Sequence, residues 1–455
     1  MTKTKTAAPC GKESREPVVL SRAEHAISRR DVDPDALKVL YRLYRNGFTA
    51  YMVGGAVRDL LVGRTPKDFD VVTDAHPGQV KKLFSNCMLI GRRFRLAHIR
   101  FRGGKVIEVA TFRKEPEPEM EPEHEVRDPG EPEDLEAQGQ AKHARTDNNS
   151  FGTPCEDAFR RDLTINALFY DISNFSIIDY VGGLEDIDQK RVCVIGNPHE
   201  RYIEDPVRMW RVLRHAARLG FTIEGETARA IRLDRDLLCS CSGARLFEEL
   251  NKDLSSGHVG PVFQALYDYG LLTVLFGKVG RALQEAPGTW EALRRNLDVA
   301  DARVRAGLPF PSEIVLSLLF WPWAEKVLGA GAGEGRDVHD ALHDELQEAG
   351  LVVTIPKVMK ASIVQTVTIV ERMFIAMETG RMRWSLRKRS HYRDASFVFP
   401  LLFRGELSES PDPFGGMFRE AHPSSSGPWN KKRSRWRGRR RRTGRGTGTG
   451  QTPSA

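Results

Sequence analysis

The segment Tyr51-Met52-Val53-Gly54-Gly55-Ala56-Val57-Arg58-Asp59-Leu60-Leu61 runs from a strand-like stretch into two glycines and then into a helical pattern. Paired glycines let backbone N–H groups approach a phosphate, and the N-terminus of the following helix adds a favourable dipole. Ten residues past Arg58 stands Asp68-Phe69-Asp70. On a strand, positions i and i+2 point to one side, so both carboxylates can bind the same hard cations. Phosphoryl-transfer sites use two such ions ~3.5–4 Å apart to clamp the attacking and leaving oxygens. Mg²⁺ is satisfied by a few carboxylates together with substrate phosphates.

Each piece alone has a blander explanation. Gly-Gly fits any tight strand–helix turn. It is not a Walker A loop, since no Gly-Lys-Ser/Thr follows, and it is not a GxGxxG fingerprint. A lone Asp-x-Asp also fits an exposed turn or a calcium loop. Glu108 shifts the balance, because it lies in the apolar strand-like run Val106–Phe112, where an acid is costly unless used or paired.

Outward from this core the chain divides into five regions. Residues 1–45 form a polar leader and a helix near Asp35–Asn46, with Leu37, Val39, Leu40 and Leu43 on its apolar face. Residues 46–197 alternate short strands and turns, including Phe69–Thr73 and His98–Phe101. They are interrupted by an acidic loop at 114–148, where Glu115–Glu136 alone carries eleven acids and five prolines. Residues 198–265 and 266–405 read as helical, and 406–455 as a disordered Arg-rich tail. The fold expected is α+β: a small mixed β-sheet head with helices, then an all-α neck and body.

Composition excludes several classes. No stretch approaches the ~20 apolar residues of a membrane helix, and the N-terminus lacks a secretory h-region. The expectation is a cytoplasmic protein without a membrane partner. Six scattered cysteines contain no CxxC pair, against a disulfide framework or zinc site. Of the 69 Lys and Arg in a chain of net charge +8, ten lie between Lys431 and Arg445, so the body is near neutral and the cationic character belongs to the tail. Arg437, Arg439 and Arg440, with Trp429 and Trp436 beside them, suit RNA; a solubilising end without a specific target is the alternative.

In order, Gly54-Gly55-Ala56-Val57-Arg58-Asp59, Asp68-Phe69-Asp70, Glu108-Val109-Ala110-Thr111-Phe112-Arg113, Arg160-Arg161-Asp162-Leu163-Thr164-Ile165-Asn166-Ala167, Asp179-Tyr180-Val181-Gly182-Gly183 and Glu204-Asp205-Pro206-Val207-Arg208-Met209 resemble the class II nucleotidyltransferase family of bacterial poly(A) polymerases and tRNA CCA-adding enzymes. The resemblance covers roughly residues 20–265. It implies that Asp68 and Asp70 hold Mg²⁺, with Glu108 or Asp162 as the third essential acid. It further implies that Gly54, Gly55, Arg58, Asp59, Arg161 and Asn166 hold ATP as substrate, and that Asp205, Arg208 and Arg211 belong to the base-reading helix. That helix has Pro206 at its first turn, Gly220 after its end, an apolar stripe of Val207, Trp210, Leu213 and Ala217, and a basic face of Arg208, Arg211, His215 and Arg218.

The segment Leu89–His98, with Arg92, Arg93 and Arg95, resembles the polymerase branch and would meet primer backbone or triphosphate. The function implied is template-independent addition of AMP to RNA 3′ ends. The alternatives are a tRNA nucleotidyltransferase adding CCA or A, and a non-catalytic RNA-binding protein on the same fold. Contact with RNA-decay machinery is an expectation drawn from the family. Asp337–Asp344, with two His-Asp pairs, reads as a solvated polar helix rather than a phosphohydrolase site.

Overall fold

The computed structural model describes residues 16–91, 95–114, 151–285, 287–331 and 337–405 of the 455. Arg92, Arg93, the acidic insert and the tail with Arg437, Arg439 and Arg440 lie outside the described residues.

The first half folds around one mixed sheet. Its strands are β1 Val18–Leu20, β2 Ala50–Val53, β3 Asp70–Thr73, β4 Cys87–Ile90, β5 Leu96–Arg100, β6 Val106–Thr111, β7 Leu168–Asp171 and β8 Ile177–Asp179, in the order β1-β8-β7-β2-β3-β6-β5-β4. β3 and β6 are parallel; the other pairs in this sheet are antiparallel. Period-two alternation sends neighbouring side chains to opposite faces. Met52, Val71, Val109 and Tyr170 enter one core with Val39, Leu40 and Leu43 of the helix Pro34–Arg45. Tyr51, Val53, Val72, Phe112 and Phe169 enter a second core with Ala158. The sheet centre is thus covered on both faces.

The helix Pro34–Arg45 has a sequence-encoded start. Pro34 occupies the first turn, and the Asp33 carboxylate accepts from Asp35 N at 2.8 Å and Ala36 N at 3.2 Å. The Gly-Gly turn forms as the sequence predicts: β2 ends at Val53, Gly54 has φ +76° and ψ −137°, and a helix runs Gly55–Leu61. A β-carbon would be strained at Gly54, so glycine is required by conformation. One strand boundary shifts. β3 begins at Asp70 rather than Phe69, which leaves Asp68 just outside the regular ladder.

From Pro198 onward the described chain is helical apart from the short strand Thr222–Ile223, which pairs in parallel with Arg191–Val192. Two compact units are present. One comprises the described residues of 1–281 with 350–354; the other comprises those of 282–349 with 355–455. Within the second unit the helices Ser312–Gly331 and Lys357–Thr379 supply most of the apolar interior. Among the described residues no helix is long and apolar enough to cross a membrane. The described cysteines are free thiols.

Candidate active site

Phe69 packs toward the Met52 core, and Asp70, the first residue of β3, points to the opposite face from Val71. The carboxylates of Asp68 and Asp70 line one cleft of about 780 Å³. Register brings the third acid there. The β3–β6 pairing sets Val71 beside Val109, so Asp70 and Glu108 are adjacent on the same face. Asp31, Asp33, Arg30, Lys67 and Lys105 complete the charged lining. Glu108 is itself paired with His98 across β5–β6, Nε2 to Oε1 at 3.3 Å.

The cleft concentrates negative charge. Desolvation, then Glu108 and Asp68, push the Asp70 carboxyl up to about 6, against the pull of Arg161. A hard divalent cation relieves such a charge excess. Among the described residues no group of three or more His, Cys, Asp or Glu side chains is gathered closely enough to hold a metal ion.

Val53 pairs with Asp70 across β2–β3, so the Gly-Gly turn follows directly beside that carboxylate. Arg58 is 6% exposed and is held by Asp59, whose Oδ1 accepts from Nε at 2.9 Å and from a terminal nitrogen at 2.7 Å. Its other terminal nitrogen donates to Asn166 Oδ1 at 2.5 Å and approaches His215 Nδ1 at 3.3 Å. The Asn166 amide nitrogen stands 3.5 Å from Nε2 of the same ring, so both ring nitrogens face donors. Burial, followed by the charges of Arg58, Arg214, Arg218 and Arg211, holds the imidazole pKa well below its ordinary value. Arg161 reaches over Gly54; a β-carbon there would lie 3.7 Å from its guanidinium. Two buried anchors hold this region. Asp157, fully buried, accepts twice from Arg160 at 2.9 and 2.7 Å and twice from Arg161 at 3.1 and 2.8 Å. Arg201 donates to the carbonyls of Arg160 and Arg161 at 2.8 and 2.9 Å.

The two candidates for third carboxylate separate. Glu108 shares the cleft with Asp68 and Asp70. Asp162 instead faces the helix Val207–Leu219 and accepts from Arg208 Nε at 2.8 Å and from Arg211 at 2.7 Å. Burial raises its pKa, but the Arg208 hydrogen bond and the charges of both arginines outweigh that and hold the carboxyl below the ordinary range. The basic face read from the sequence is therefore not simply a solvated face: it is the seam between head and neck. Asp205 Oδ1 accepts from Val207 N at 3.2 Å, a cap contact, while Oδ2 accepts from Arg245 at 2.6 Å. The Arg208 backbone N–H donates to the Asp205 carbonyl at 3.1 Å, while the two side chains turn to other partners, Arg208 to Asp162 and Glu204 and Asp205 to Arg245. The helix ends at Gly220, φ +71°, as its sequence predicts.

Behind that helix lies a network the sequence did not disclose. Arg214, 5% exposed, donates to Asp253 at 2.5 and 3.0 Å and to the Glu249 carboxylate and carbonyl, and Trp210 Nε1 donates to Asp253 at 2.7 Å. Asp157 had a local signal, its i+3 and i+4 spacing to two arginines. Arg245, Glu249 and Asp253 had none, because their partners are distant in sequence. Arg95 is exposed at the foot of β5. In the second unit, Asp337 caps the helix Val338–Gln347, and the pairs His339–Asp340 at 3.2 Å and His343–Asp344 at 3.5 Å stay local.

Residues 50–193 match the poly A polymerase head domain, and residues 220–282 match a family described as the probable RNA and SrmB-binding site of polymerase A. The chain is 39% identical over 385 residues to Poly(A) polymerase I of Salmonella typhi, covering 83% of this chain and 80% of that protein. It is 38% identical over 402 residues to Poly(A) polymerase I of Escherichia coli O157:H7, covering 87% and 83%. The CCA-adding enzyme of Bacillus pumilus is 37% identical over 252 residues, covering 55% and 57%. A Thermotoga maritima CCA-adding enzyme complexed with tRNA shares the fold, with TM-score 0.53 at 20% identity over 88% of this chain and 82% of that one. With the head match spanning the strands that carry Asp70 and Glu108, and that identity sustained over most of both chains, this chain belongs to the poly(A) polymerase family of nucleotidyltransferases.

Proposed function

We propose that this chain adds AMP from ATP to RNA 3′ ends without a template, releasing pyrophosphate, in the cytoplasm, and so serves mRNA polyadenylation and RNA turnover. The observation that carries the reading is the adjacency of Asp68, Asp70 and Glu108 beside a Gly-Gly turn backed by Arg58 and Arg161. Similarity to Poly(A) polymerase I over more than four fifths of the chain supports AMP tailing above CCA addition.

The primer 3′-hydroxyl attacks the α-phosphate of ATP, and the bond to the pyrophosphate oxygen breaks. Asp68 and Asp70 would hold Mg²⁺, which when bound would neutralise the developing phosphoryl charge and make the hydroxyl a better nucleophile. Glu108, oriented by His98, is the third acid of that cleft. Arg58, fixed by Asp59 and Asn166, and the backbone at Gly54 and Gly55 receive the departing pyrophosphate. Arg161 neutralises phosphate charge between cleft and turn. Asp162 is a positioning residue: it orients Arg208 and Arg211 toward the incoming nucleotide. Asp205 and Arg208 offer an acceptor and a donor, the set adenine presents to its reader. Arg92, Arg93 and Arg95 contact primer backbone, and Arg437, Arg439 and Arg440 hold RNA electrostatically. RNA-decay machinery is the partner we expect for the RNA-binding region.

The test supplies each nucleoside triphosphate separately, with Mg²⁺, to the full chain and an RNA ending in A. Long ladders with ATP alone establish AMP tailing. One to three additions confined to tRNA, using CTP or ATP, replace it with CCA or A addition. No incorporation on either RNA reduces the chain to a binding protein.

A further inference from the structure

The second unit carries a cationic surface that the reaction above does not use. From Gly380 to Arg393 the chain has six Lys and Arg and no acid. Met382 and Leu386, each 5% exposed, anchor the segment in the unit's interior. Their neighbours Arg381, Arg383, Trp384, Lys388 and Arg389 face solvent. Among the described residues, Arg381, Arg383, Lys388 and Arg389 make no ion pair with a carboxylate. Trp384 is 47% exposed, with the Lys388 ammonium 3.7 Å from its ring centroid. Arg389 and Ser390 lead into a polar cleft of about 290 Å³ shared with His339, Gln365 and Thr368. No carboxylate lines this cleft, although Asp340 sits beside His339 at 3.2 Å.

Water-exposed tryptophan costs apolar hydration, and cations without a carboxylate partner on one short segment repel one another; the Lys388 ammonium meets one face of the indole, which leaves the other for a ligand. One ligand resolves both: a flexible polyanion with flat apolar faces. A lipid surface would also take up an indole, but Trp384 is the one exposed large apolar side chain of this segment, short of the apolar face that a membrane-surface helix presents; an acidic peptide answers the charge but brings no base to stack. We propose that Arg381, Arg383, Trp384, Lys388 and Arg389 form a docking surface for single-stranded RNA, with phosphates on the cations and a base stacked on Trp384. This rests on the reading of RNA as substrate and deepens it: the surface holds a segment of the strand away from the reacting 3′ end.

The test uses the full chain and a labelled A20 oligonucleotide in fluorescence anisotropy across a salt series. Trp384→Ala weakens RNA binding about fivefold or more, and Trp384→Phe restores most of it. The triple variant Arg381→Glu, Arg383→Glu, Lys388→Glu lowers the slope of log affinity against log salt by about 2. Extension of a saturating short primer with ATP is unchanged in each variant, which also shows that they fold. Heparin binding responds to the triple variant but not to Trp384→Ala. Unchanged A20 affinity and salt slope in these active variants overturns the proposal. Equal loss of heparin and RNA binding in Trp384→Ala overturns the stacking site and leaves a general polyanion surface. Patch-dependent A20 binding without ATP-dependent extension sinks the catalytic reading instead and leaves the surface standing.

Discussion

At the residue scale the proposed chemistry turns on Asp70. A carboxyl pushed up to about 6 is half-protonated where an ordinary aspartate is fully ionised. Its raised value means that the charged form is disfavoured in the metal-free fold, so ionisation costs stability as pH rises through 6. A divalent cation reverses that cost, because metal and proton compete for the same oxygens. Thermal stabilisation by Mg²⁺ is therefore expected to grow from pH 5 to pH 7 with a midpoint near 6, and to vanish in Asp70→Asn. A pH-independent Mg²⁺ shift in the wild-type chain would remove Asp70 from the metal site. AMP transfer in Asp70→Ala is expected to fall by about a thousandfold or more, while the circular dichroism spectrum stays as in the parent. Normal activity in that variant would refute the site assignment.

At the element scale the helix Val207–Leu219 works on two sides. Its outer residues Arg208 and Arg211 meet Asp162, and its inner residues Trp210 and Arg214 meet Glu249 and Asp253. The inner network fixes the rotation of the helix about its axis, and so fixes where the outer arginines point. Asp253 is fully buried. Its removal leaves Arg214 buried with one carboxylate partner instead of two. Asp253→Ala is expected to destabilise the chain by about 3 kcal/mol, the scale of a broken buried ion pair, read as a lower urea midpoint. Asp253→Asn, which keeps the acceptor for Trp210, recovers part of the loss. An unshifted midpoint for Asp253→Ala would mean that the helix is held by apolar packing alone.

At the scale of the whole molecule the charge is divided between parts. Ten Lys and Arg between Lys431 and Arg445 leave the rest of the chain slightly acidic. Binding to single strands releases counterions at roughly 0.7 per neutralised phosphate, so deleting the chain beyond Gly427 is expected to flatten the salt dependence of RNA binding. The rate at saturating primer and ATP should hold, since Asp68, Asp70 and Glu108 are untouched. An unchanged salt slope would exclude the tail as an RNA contact.

The sequence by itself determined what depends on neighbours along the chain. Asp33-Pro34 started a helix, Gly54-Gly55 made a strand–helix turn whose first residue only glycine tolerates, and Gly220 ended the helix that begins after Asp205-Pro206. The spacing in Asp68-Phe69-Asp70 put both acids at one cleft, although only Asp70 belongs to the strand. The choice between Glu108 and Asp162 was not legible, because each is an acid in a plausible motif and only strand register says which lies beside Asp70. Nor was it legible that Arg208 and Arg211 pair with Asp162, that His215 borders Arg58, or that Asp205 meets Arg245. Those partners stand 40 to 157 residues apart. Backbone preference and side-chain periodicity act over a few residues, whereas charge pairing and register are decided only when the sheet and helices have packed.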